Sequence, residues 1–541
     1  MPDQPDQLTE PEFLGSDSTQ EHPGRRWGLI GAACLAVVAA AGAGAWGVAQ
    51  LMAGGSSPAS AVPADAVAYL SVDLDPSASQ KIEALNMLKK FPAVAEELDL
   101  GVRDDLRRWA FEQFEEESPC KGFDYDTDVG PWLGDKMGVA VVPDGDEVVP
   151  LVLVQVSDQD AARAGIRQLA DCGEEEAGMA FVDDYALLGE KQAVVDKMAS
   201  AASASALDED PDFLKWMDRA GDPGIITAYA SADSLAAVMD LAQHSVPGQG
   251  STALDSGGRE TYSDSVLAAS AASDDKLQRL QSVFEDFEGA ALVVRFADGS
   301  VEAEAVSSGL PSGMAATGAG LPALGALPET TALALSVALP ENWLQDYIES
   351  MEDMLGEDLG EQDMWSELEA GTGLDLPGDI ETLLGDGVTV SVDASTDLRA
   401  LMETPEPADV PIGIQIAGEP AEISPVLDKV LAQAGPMAKQ LVVEETEDGV
   451  SVGLQQEYVD RLVAGGSLGT SDSFRRVIAE RASSAFYVDF DAGDGWADRL
   501  ADELGSGDPE VGANVAPLDA VGVSSWMDEG VSHALFKMTT D

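Results

Sequence analysis

Basic residues are scarce in this chain, and their scarcity excludes several kinds of partner. The 541 residues include 29 Lys and Arg against 99 Asp and Glu, which gives a formal net charge of −70. Nucleic-acid binding needs Lys and Arg to neutralise phosphates, and anionic lipid headgroups attract the same side chains. We therefore expect no nucleic-acid partner and no docking on anionic headgroups. The acidic surface is expected to attract cations without specificity.

Histidine and cysteine are nearly absent as well, which excludes sites that are built from clusters of them. The chain holds three residues of each type, namely His22, His244, His533, Cys34, Cys120 and Cys172. No Cys/His pattern for zinc can be assembled from so few residues. The sequence predicts no metal site, no cofactor and no catalytic residue, and it favours a protein that is not an enzyme.

Long uncharged runs are also rare, but one stands near the N-terminus. Residues 1–26 form a polar tail whose composition is typical of disorder. Residues 27–49, WGLIGAACLAVVAAAGAGAWGVA, carry no charge over 23 positions, which is long enough for a transmembrane helix. Arg25 and Arg26 precede this run, so the positive-inside bias places the tail in the cytosol and the rest outside the membrane. The alternative is a cleaved signal peptide with a small-residue site downstream, such as Ala59-Ser60-Ala61.

Two cysteines lie beyond the predicted span. Cys120 and Cys172 form an even pair in a compartment that is expected to be oxidising, and we predict that they are joined by a disulfide. Closing a loop of this length is expected to stabilise the fold by about 4 kcal/mol. The alternative is a pair of buried free thiols.

An internal repeat organises the residues after the span. PADAVAYLSVDL at 63–74 aligns with PETTALALSVAL at 328–339 at an offset of 265. FDYDTDVGPWLGD at 123–135 aligns with LDLPGDIETLLGD at 374–386 at an offset of 251. A third offset, 261, aligns three pairs of residues, namely Pro150 with Pro411, Leu207 with Leu468 and Phe213 with Phe474. The preserved order predicts two copies of one module, which form either separate domains or one pseudo-symmetric body.

The predicted fold class is α+β, in which a transmembrane helix is followed by two mixed strand and helix modules with largely antiparallel sheets. Strands are indicated by apolar residues at alternate positions, as at 67–74, and helices by amphipathic runs, as at 159–169. The predicted segments are a disordered cytosolic tail (1–26), a transmembrane helix (27–49), a linker (50–62), repeat one (63–309) with a flexible insertion at about 248–275, a second linker (310–325) and repeat two (326–541).

Three acids in repeat one resemble a calcium-binding loop. Asp124, Asp126 and Asp128 alternate as in such a loop, and Asp135 stands at the twelfth place. However, Val129 occupies the sixth place, where the loop requires Gly, and the second copy lacks one of the three acids. We interpret these side chains as turn and helix-cap carboxylates.

One serine stands in a motif that resembles a nucleophile elbow, Gly465-Gly466-Ser467-Leu468-Gly469. A catalytic triad would have to recruit His244 or His533. The counterpart of Ser467 in repeat one is Ala206, which has no hydroxyl group. We interpret the motif as a glycine-rich turn.

The order of segments resembles a family of actinobacterial membrane-anchored proteins that is known only as a domain of unknown function. The resemblance is carried by P-A-D-A-V-A-Y-L-S-V-D-L-D-P at 63–76 and by P-W-L-G-D at 131–135. It implies a single-pass protein of the cell envelope, and it implies no activity and no functional residue.

Three functions remain open on these grounds. We expect first a non-enzymatic extracytoplasmic module, anchored in the cell membrane, that binds or scaffolds an envelope component. The second is an ectodomain that holds a lipid or another apolar ligand between sheet and helices. The third is a carboxylate-dependent hydrolase of envelope polymers.

Overall fold

The structure, a computed structural model, describes residues 57–74, 122–234, 286–309, 320–340, 342–348, 372–396, 410–493 and 509–541, with gaps at 146, 173–176, 298 and 434–436, and scattered residues between 83 and 111 and at 236–237, 369, 495–496 and 499. The predicted tail, the predicted span and the predicted flexible insertion lie outside these residues. So do Cys120 and the side chain of Cys172. Within the described part of the chain, no helix combines the length and the apolar character needed to cross a membrane.

The described residues form a single sheet of 16 strands. In chain order these are β1 Ala68–Asp73, β2 Leu133–Asp144, β3 Glu147–Val156, β4 Gly178–Val182, β5 Tyr185–Gly189, β6 Ile226–Ser231, β7 Gly289–Ala297, β8 Ser300–Ser308, β9 Thr331–Ala338, β10 Gly387–Asp393, β11 Ile412–Ala417, β12 Val442–Glu445, β13 Gly449–Gly453, β14 Ser484–Asp489, β15 Leu518–Asp528 and β16 Val531–Thr540. Every named strand pair is antiparallel, so the predicted α+β class with antiparallel pairing is confirmed.

The helices of the described residues are short. They are α1 Gln159–Cys172, α2 Gln192–Ala204, α3 Pro211–Arg219, α4 Gly320–Gly325, α5 Gly378–Leu384, α6 Pro420–Gln433, α7 Gln456–Ala464, α8 Asp472–Val477 and α9 Pro509–Val515. Local chemistry explains where some of them begin. Asp210 caps α3 by accepting from two backbone N–H groups, and Pro211 suits the first helical position. Ser471 caps α8 at the equivalent place in repeat two by accepting from the backbone N–H of Phe474.

The strand order shows a pseudo-twofold arrangement of the two repeats. From the centre outward, repeat one reads β8-β7-β6-β1-β2-β3-β5-β4, and repeat two reads β16-β15-β14-β9-β10-β11-β13-β12. Each position holds equivalent strands. The two halves meet where β8 pairs with β16, from Ser308 opposite Val531 to Ser300 opposite Thr539. We call this pairing the seam. The two copies therefore share one continuous sheet.

The strand registers agree with two of the sequence offsets and correct the third. Ser71 lies opposite Gly138 in repeat one, and Ser336 lies opposite Thr389 in repeat two, as the offsets of 265 and 251 require. Further out, Leu153 lies opposite Gly138, whereas Gln415 lies opposite Thr389. The match of Pro150 with Pro411 is therefore wrong by one residue within the strand. Pairing with the neighbouring strand sets the register, and two identical prolines near a strand start do not.

The sheet has two faces with different coverings. We call face A the face that carries Tyr69 and Tyr487, and face B the opposite face, which carries Val72 and Phe486; side chains alternate between them along each strand. On face A, helices α2 and α3 close the core of repeat one, and α4, α7 and α8 close the core of repeat two. On face B, α1 covers the outer strands of repeat one, and α6 covers β11 and β13.

The two segments that composition predicts as linkers are partly built into the cores. Residues 58–61 form a 3₁₀ turn in which Ala59 and Ala61 are fully buried. Leu324 of α4 is fully buried at the equivalent place in repeat two. Small side chains are common in linkers, but they also allow the backbone to approach a core closely, and composition alone does not separate the two cases.

Candidate functional site

The acids of the calcium-like loop satisfy a local turn. Asp124 accepts from the backbone N–H of Thr127 at 3.0 Å, and Asp128 accepts from the backbone N–H of Asp124 at 2.9 Å. Asp126 pairs with Arg108, and Asp135 pairs with Arg107 at 3.1 Å. Asp124 and Asp128 therefore hold the turn around Thr127, while Asp126 and Asp135 pair with separate arginines.

The second copy repeats the same contact. Asp379, the counterpart of Asp128, accepts from the backbone N–H of Asp375 at 2.8 Å. Lys429 of α6 donates to the same carboxylate at 2.7 Å, and together these hydrogen bonds lower the pKa of Asp379. The shared contact indicates that this carboxylate shapes the turn before β2 and β10.

Ser467 also has a local role. Its hydroxyl donates to Glu329 at 2.5 Å, and the next residue starts the 3₁₀ turn Leu468–Thr470. The backbone N–H groups of Gly466 and Leu468 donate to carbonyl groups of Ala326 and Leu327. The glycine-rich segment is thus tied to the start of repeat two, and its serine contacts a carboxylate.

A cluster of charged side chains lies on face A at the seam. Arg295 of β7 donates from Nε to Glu302 at 3.0 Å and from Nη2 to Glu304 at 2.6 Å. Lys537 of β16 approaches Glu302 at 2.5 Å, so the cluster joins the two repeats. Burial alone would lower the pKa of Arg295, but the hydrogen bonds and charges of Glu304 and Glu302 raise it. Two cations balance two carboxylates in a largely buried setting.

His533 extends this cluster toward the end of the seam. Its ring stacks on Trp526 with 4.9 Å between centroids, and its Nδ1 lies 3.7 Å from Glu304. Burial lowers the pKa of His533, and the charges of Glu304 and Asp528 oppose this effect without cancelling it. Arg481 lies over the Trp526 ring. The ring is therefore held neutral near pH 7.

Sequence reasoning missed the seam cluster. The signal that could have found it is the pair Glu302 and Glu304, two acids at alternate positions on one face of a strand. What the sequence does not contain is the adjacency of β8 and β16, since these strands are separated by more than 200 residues. Without that adjacency, Lys537 and His533 have no visible connection to the two acids.

A second polar network is buried in repeat two. Asp393 is 2% exposed and accepts from Thr330 Oγ1 at 2.5 Å and from the backbone N–H of Ser395 at 3.0 Å. Arg461 of α7 lies 3.0 Å from the same carboxylate. Burial alone would raise the pKa of Asp393, but these hydrogen bonds and the charge of Arg461 together lower it. The network ties α7 to the start of β9 and the end of β10.

Three carboxylates converge near the C-terminus. The ligand atoms of Asp491, Asp519 and Asp541 lie within 4.8 Å of one another. Burial and the neighbouring Asp541 and Asp519 raise the pKa of Asp491. Asp519 already pairs with Arg476 at 2.6 Å and accepts from Thr539 at 2.6 Å, so its charge is compensated within the protein. The grouping therefore holds three carboxylates, of which Asp519 is paired with an arginine of the same chain.

Face B of repeat two carries a row of apolar side chains that are open to solvent. Leu335 is 42% exposed, Ile414 and Val523 are each 38% exposed, and Val443 is 36% exposed. Strand pairing places these four residues in one line through Val452, which is buried under α6, and through Val390 and Phe486, which are half-buried. We call this line the apolar row. It continues into repeat one through residues that are buried or half-buried, namely Ala303, Val294, Ile226, Val72, Met137, Val154, Ala186 and Phe181.

An open groove lies beyond the end of β9. Its volume is about 240 Å³, and Leu339, Trp343 and Ile423 form its apolar lining. Four carboxylates stand around it, namely Glu381, Asp386, Glu419 and Glu422. Leu339 follows Leu335 and Val337 at alternate positions, so the groove continues the apolar surface of face B and gives it an acidic border.

A comparison with protein families gives a match near the N-terminus. Residues 29–178 match the model of a family described as "Protein of unknown function (DUF3352)". The matched segment contains 63–76 and 131–135, the two stretches that carry the resemblance. The resemblance to a family of unknown function is therefore confirmed. No curated protein and no solved structure matches the chain.

Proposed function

We propose that this chain is a single-pass, membrane-anchored extracytoplasmic protein that binds or scaffolds a component of the cell envelope without catalysing a reaction. The uncharged run at 27–49 and the preceding Arg25 and Arg26 support the anchor and its orientation. The two-copy sheet is the part that would reach a partner. A sheet of 16 strands gives a broad surface, which suits a scaffold.

The observation that carries the binding role is the apolar row. Soluble proteins expose single apolar side chains freely, but contiguous exposed patches mark interaction sites. Four large exposed side chains stand in one line on an acidic chain of net charge −70, where solubility alone would favour polar residues. A partner that covers this row would remove it from water.

Site-specific photo-crosslinking in intact cells tests this function. A photoreactive amino acid placed at Leu335 is expected to give a reproducible crosslinked product, protein or lipid, from the envelope. The matched control position is Val463 of α7, which is 42% exposed but stands outside the apolar row. Equal labelling at both positions, or no product from Leu335, would contradict a binding role for the row.

The same experiment separates a second candidate, an ectodomain that binds a lipid or another apolar ligand. The exposed side chains of the apolar row favour it, because an apolar ligand would cover them. The expected product is then a lipid adduct at Leu335, which mass spectrometry distinguishes from a crosslinked polypeptide.

A further inference from the structure

The groove beyond the end of β9 lies beside a turn that both repeats share. In repeat one, the backbone N–H of Leu74 donates to the carbonyl oxygen of Asp135 at 2.6 Å. In repeat two, the backbone N–H of Leu339 donates to the carbonyl oxygen of Asp386 at 3.0 Å. The shared contact places Asp135 and Asp386 at equivalent positions of the two copies, so their surroundings can be compared directly.

Asp135 binds a guanidinium group in repeat one. Nη1 of Arg107 lies 3.1 Å from its carboxylate and donates to the carbonyl oxygen of Leu133 at 3.0 Å. The cation therefore bridges a carboxylate and a backbone oxygen of one turn, and charge-assisted contacts of this kind are stronger than those between neutral groups. Repeat one thus shows which kind of group this position of the fold accepts.

Repeat two keeps the carboxylate but has no equivalent cation. Arg107 belongs to the segment between β1 and β2, and the equivalent segment between β9 and β10 contains no basic residue. The chain has no Lys, Arg or His at all between Arg295 and Arg399. Asp386 is exposed, and it makes no ion pair within the described part of the chain. The place that Arg107 fills in repeat one is therefore open to a group from another molecule.

Three further carboxylates line the groove beside Asp386, namely Glu381, Glu419 and Glu422. Glu419 and Glu422 stand at the start of α6, where the helix dipole favours acids. Asp386 instead follows the last residue of α5 by two positions, and this end of a helix favours cations. Helix stabilisation therefore accounts for the two acids of α6 but not for Asp386.

The spacing of the acids and the size of the groove favour a single organic side chain over a metal ion. Among the described residues, three carboxylates converge within 4.8 Å only at Asp491, Asp519 and Asp541, which are not part of the groove. A metal ion needs such convergence, whereas a planar guanidinium group can contact acids that stand apart. The groove volume of about 240 Å³ lies below the roughly 300–1,000 Å³ of pockets for whole small molecules.

We propose that the groove binds an arginine side chain of a polypeptide partner in the cell envelope. The guanidinium group pairs with Asp386, as that of Arg107 pairs with Asp135 in repeat one. The other three carboxylates of the groove attract the cation. This proposal rests on the proposed binding function and names the chemistry that the partner offers.

Trp343 lines the groove and can report binding there. The full chain in detergent is labelled with fluorotryptophan, and Trp343→Phe identifies the fluorine NMR signal of Trp343 among the nine tryptophans. The probe is glycyl-arginyl-glycine, and its control is glycyl-citrullyl-glycine, which has nearly the same shape but no charge. A saturable shift is expected with the arginine peptide and none with the citrulline peptide. Equal shifts, or none with the arginine peptide, would overturn the proposal.

Two other ligands test whether the site prefers guanidinium. At matched ionic strength, glycyl-lysyl-glycine is expected to bind more weakly than the arginine peptide, because an ammonium group lacks the planar fork of donors. Calcium chloride is expected to give no saturable shift of the Trp343 signal. Tighter binding of either one would assign the groove to an ammonium group or to a metal ion and would overturn the proposal.

Variants of the protein locate the contact. Asp386→Asn is expected to weaken binding of the arginine peptide about tenfold, because it removes a charge-assisted hydrogen bond. Asp135→Asn makes the same change at the equivalent position of repeat one, and Glu457→Gln removes an exposed charge from α7. Both controls are expected to bind as the unaltered chain does. Unchanged binding by Asp386→Asn, or an equal loss in Glu457→Gln, would overturn the proposal.

Photo-crosslinking in intact cells identifies the source of the cation. A photoreactive amino acid at Glu422 is expected to capture a polypeptide at a segment that contains arginine, and Asp386→Asn is expected to abolish the product. An adduct with a small guanidinium compound instead would overturn the proposal. A product at Leu335 without one at Glu422 would also overturn it, while the binding function would stand. Loss of both products would remove both.

Discussion

The two repeats share one fold, but different side chains fill equivalent places in their cores. In repeat one, Trp132 packs over Gly165, and Trp216 packs over Gly289: a Cβ atom added to either glycine would lie within 2.5 Å of the indole nitrogen. In repeat two the equivalent pairs are Leu383 with Val426 and Val477 with Ala520. A large residue over glycine in one copy thus corresponds to two residues of moderate size in the other.

The interiors also differ in polarity. Repeat one places Ala140, Val142 and Val194 on the face A side of its outer strands, and they belong to or pack against its apolar core. The equivalent residues in repeat two are Ser391, Asp393 and Tyr458, where the Tyr458 hydroxyl donates to Ser391 at 2.8 Å. The fold therefore depends on the strand register and on total side-chain volume, and it tolerates a polar network in which Ser391, Asp393 and Tyr458 are hydrogen-bonded.

The largest expected difference between the repeats comes from the predicted disulfide of Cys120 and Cys172, whose counterparts in repeat two are Gly371 and Gln433. Reduction is expected to lower the free energy of unfolding of repeat one by about 4 kcal/mol. Mass spectrometry before and after reduction, with thiol alkylation, checks the bond. Two alkylated thiols in the native protein before reduction would contradict it.

The second effect concerns the tryptophan and glycine pair of repeat one. Trp216→Val leaves a cavity, and Gly289→Ala forces a Cβ against the indole, so each is expected to cost about 3 kcal/mol. Gly289 also has φ +142, which adds strain for any larger residue. The double variant Trp216→Val/Gly289→Ala installs the pair of repeat two. Its loss in the free energy of unfolding is expected to be smaller than the sum of the two single losses by at least about 1 kcal/mol, a typical coupling energy between residues in contact. If denaturant titrations show that the two single losses in the free energy of unfolding add up in the double variant, the smaller residue at 216 does not make room for the larger residue at 289.

The third effect concerns the buried carboxylate of repeat two. Asp393→Asn keeps the shape of the side chain but removes the charge that pairs with Arg461. We expect the free energy of unfolding to fall by about 2 kcal/mol. The pKa of Asp393 is lowered in the folded state, so its contribution is present above the ordinary Asp pKa of 3.8 and is lost as pH falls through the lowered value. Denaturant titrations at pH 7 and at pH 3 measure the free energy of unfolding of the variant and of the unaltered chain. The difference between these two free energies is expected to be smaller at pH 3. A difference that is constant with pH would contradict a charged Asp393.

The smallest effect concerns the seam. His533 of repeat two lies opposite Val306, which is two residues from Glu304 along β8 and on the same face of the sheet. Because the pKa of His533 is lowered in the folded state, the unfolded chain binds the proton more readily. The contribution of the neutral ring is therefore complete above pH 6.5 and is lost as pH falls from 6.5 through the lowered value. Glu304, Asp528 and Arg481 are the charged groups that act on the ring, and Arg295 donates a hydrogen bond to Glu304.

NMR titration of the imidazole signals checks this expectation, since the chain has three histidines and His533→Phe identifies the relevant signal. A midpoint below 6.5 is expected. With Glu304→Gln the midpoint is expected to fall further, because the charge of Glu304 favours the protonated ring. A midpoint at or above 6.5 would show that the pair with Glu304 outweighs burial.

Local features of the fold could be predicted from the sequence. The hairpin at Asp183-Asp184 is formed with a positive φ at Asp183, and the hairpin at Glu529-Gly530 with positive φ at both residues. The repeat itself could also be found, because Ser71 and Ser336 occupy the same place in equivalent strands. These features depend on short stretches of chain.

The seam and the apolar row could not be predicted. Leu335 and Ile414 look like ordinary residues of buried strands, and their exposure depends on which elements cover face B. The pairing of β8 with β16 depends on the pseudo-twofold arrangement of the two copies. Long-range adjacency of this kind leaves no signal in composition or periodicity, since both strands carry the same alternating pattern.

The two repeats form one sheet joined at the seam, and a designed disulfide tests this arrangement most directly. Ala305 and Ala534 lie directly opposite each other on face B of β8 and β16. In the full chain, the double variant Ala305→Cys/Ala534→Cys is expected to form an intramolecular bond between these positions, which peptide mapping by mass spectrometry would identify. The control Ala305→Cys/Val443→Cys, whose positions are far apart in the strand order, is expected to form none. A folded double variant without the 305–534 bond would contradict the shared sheet.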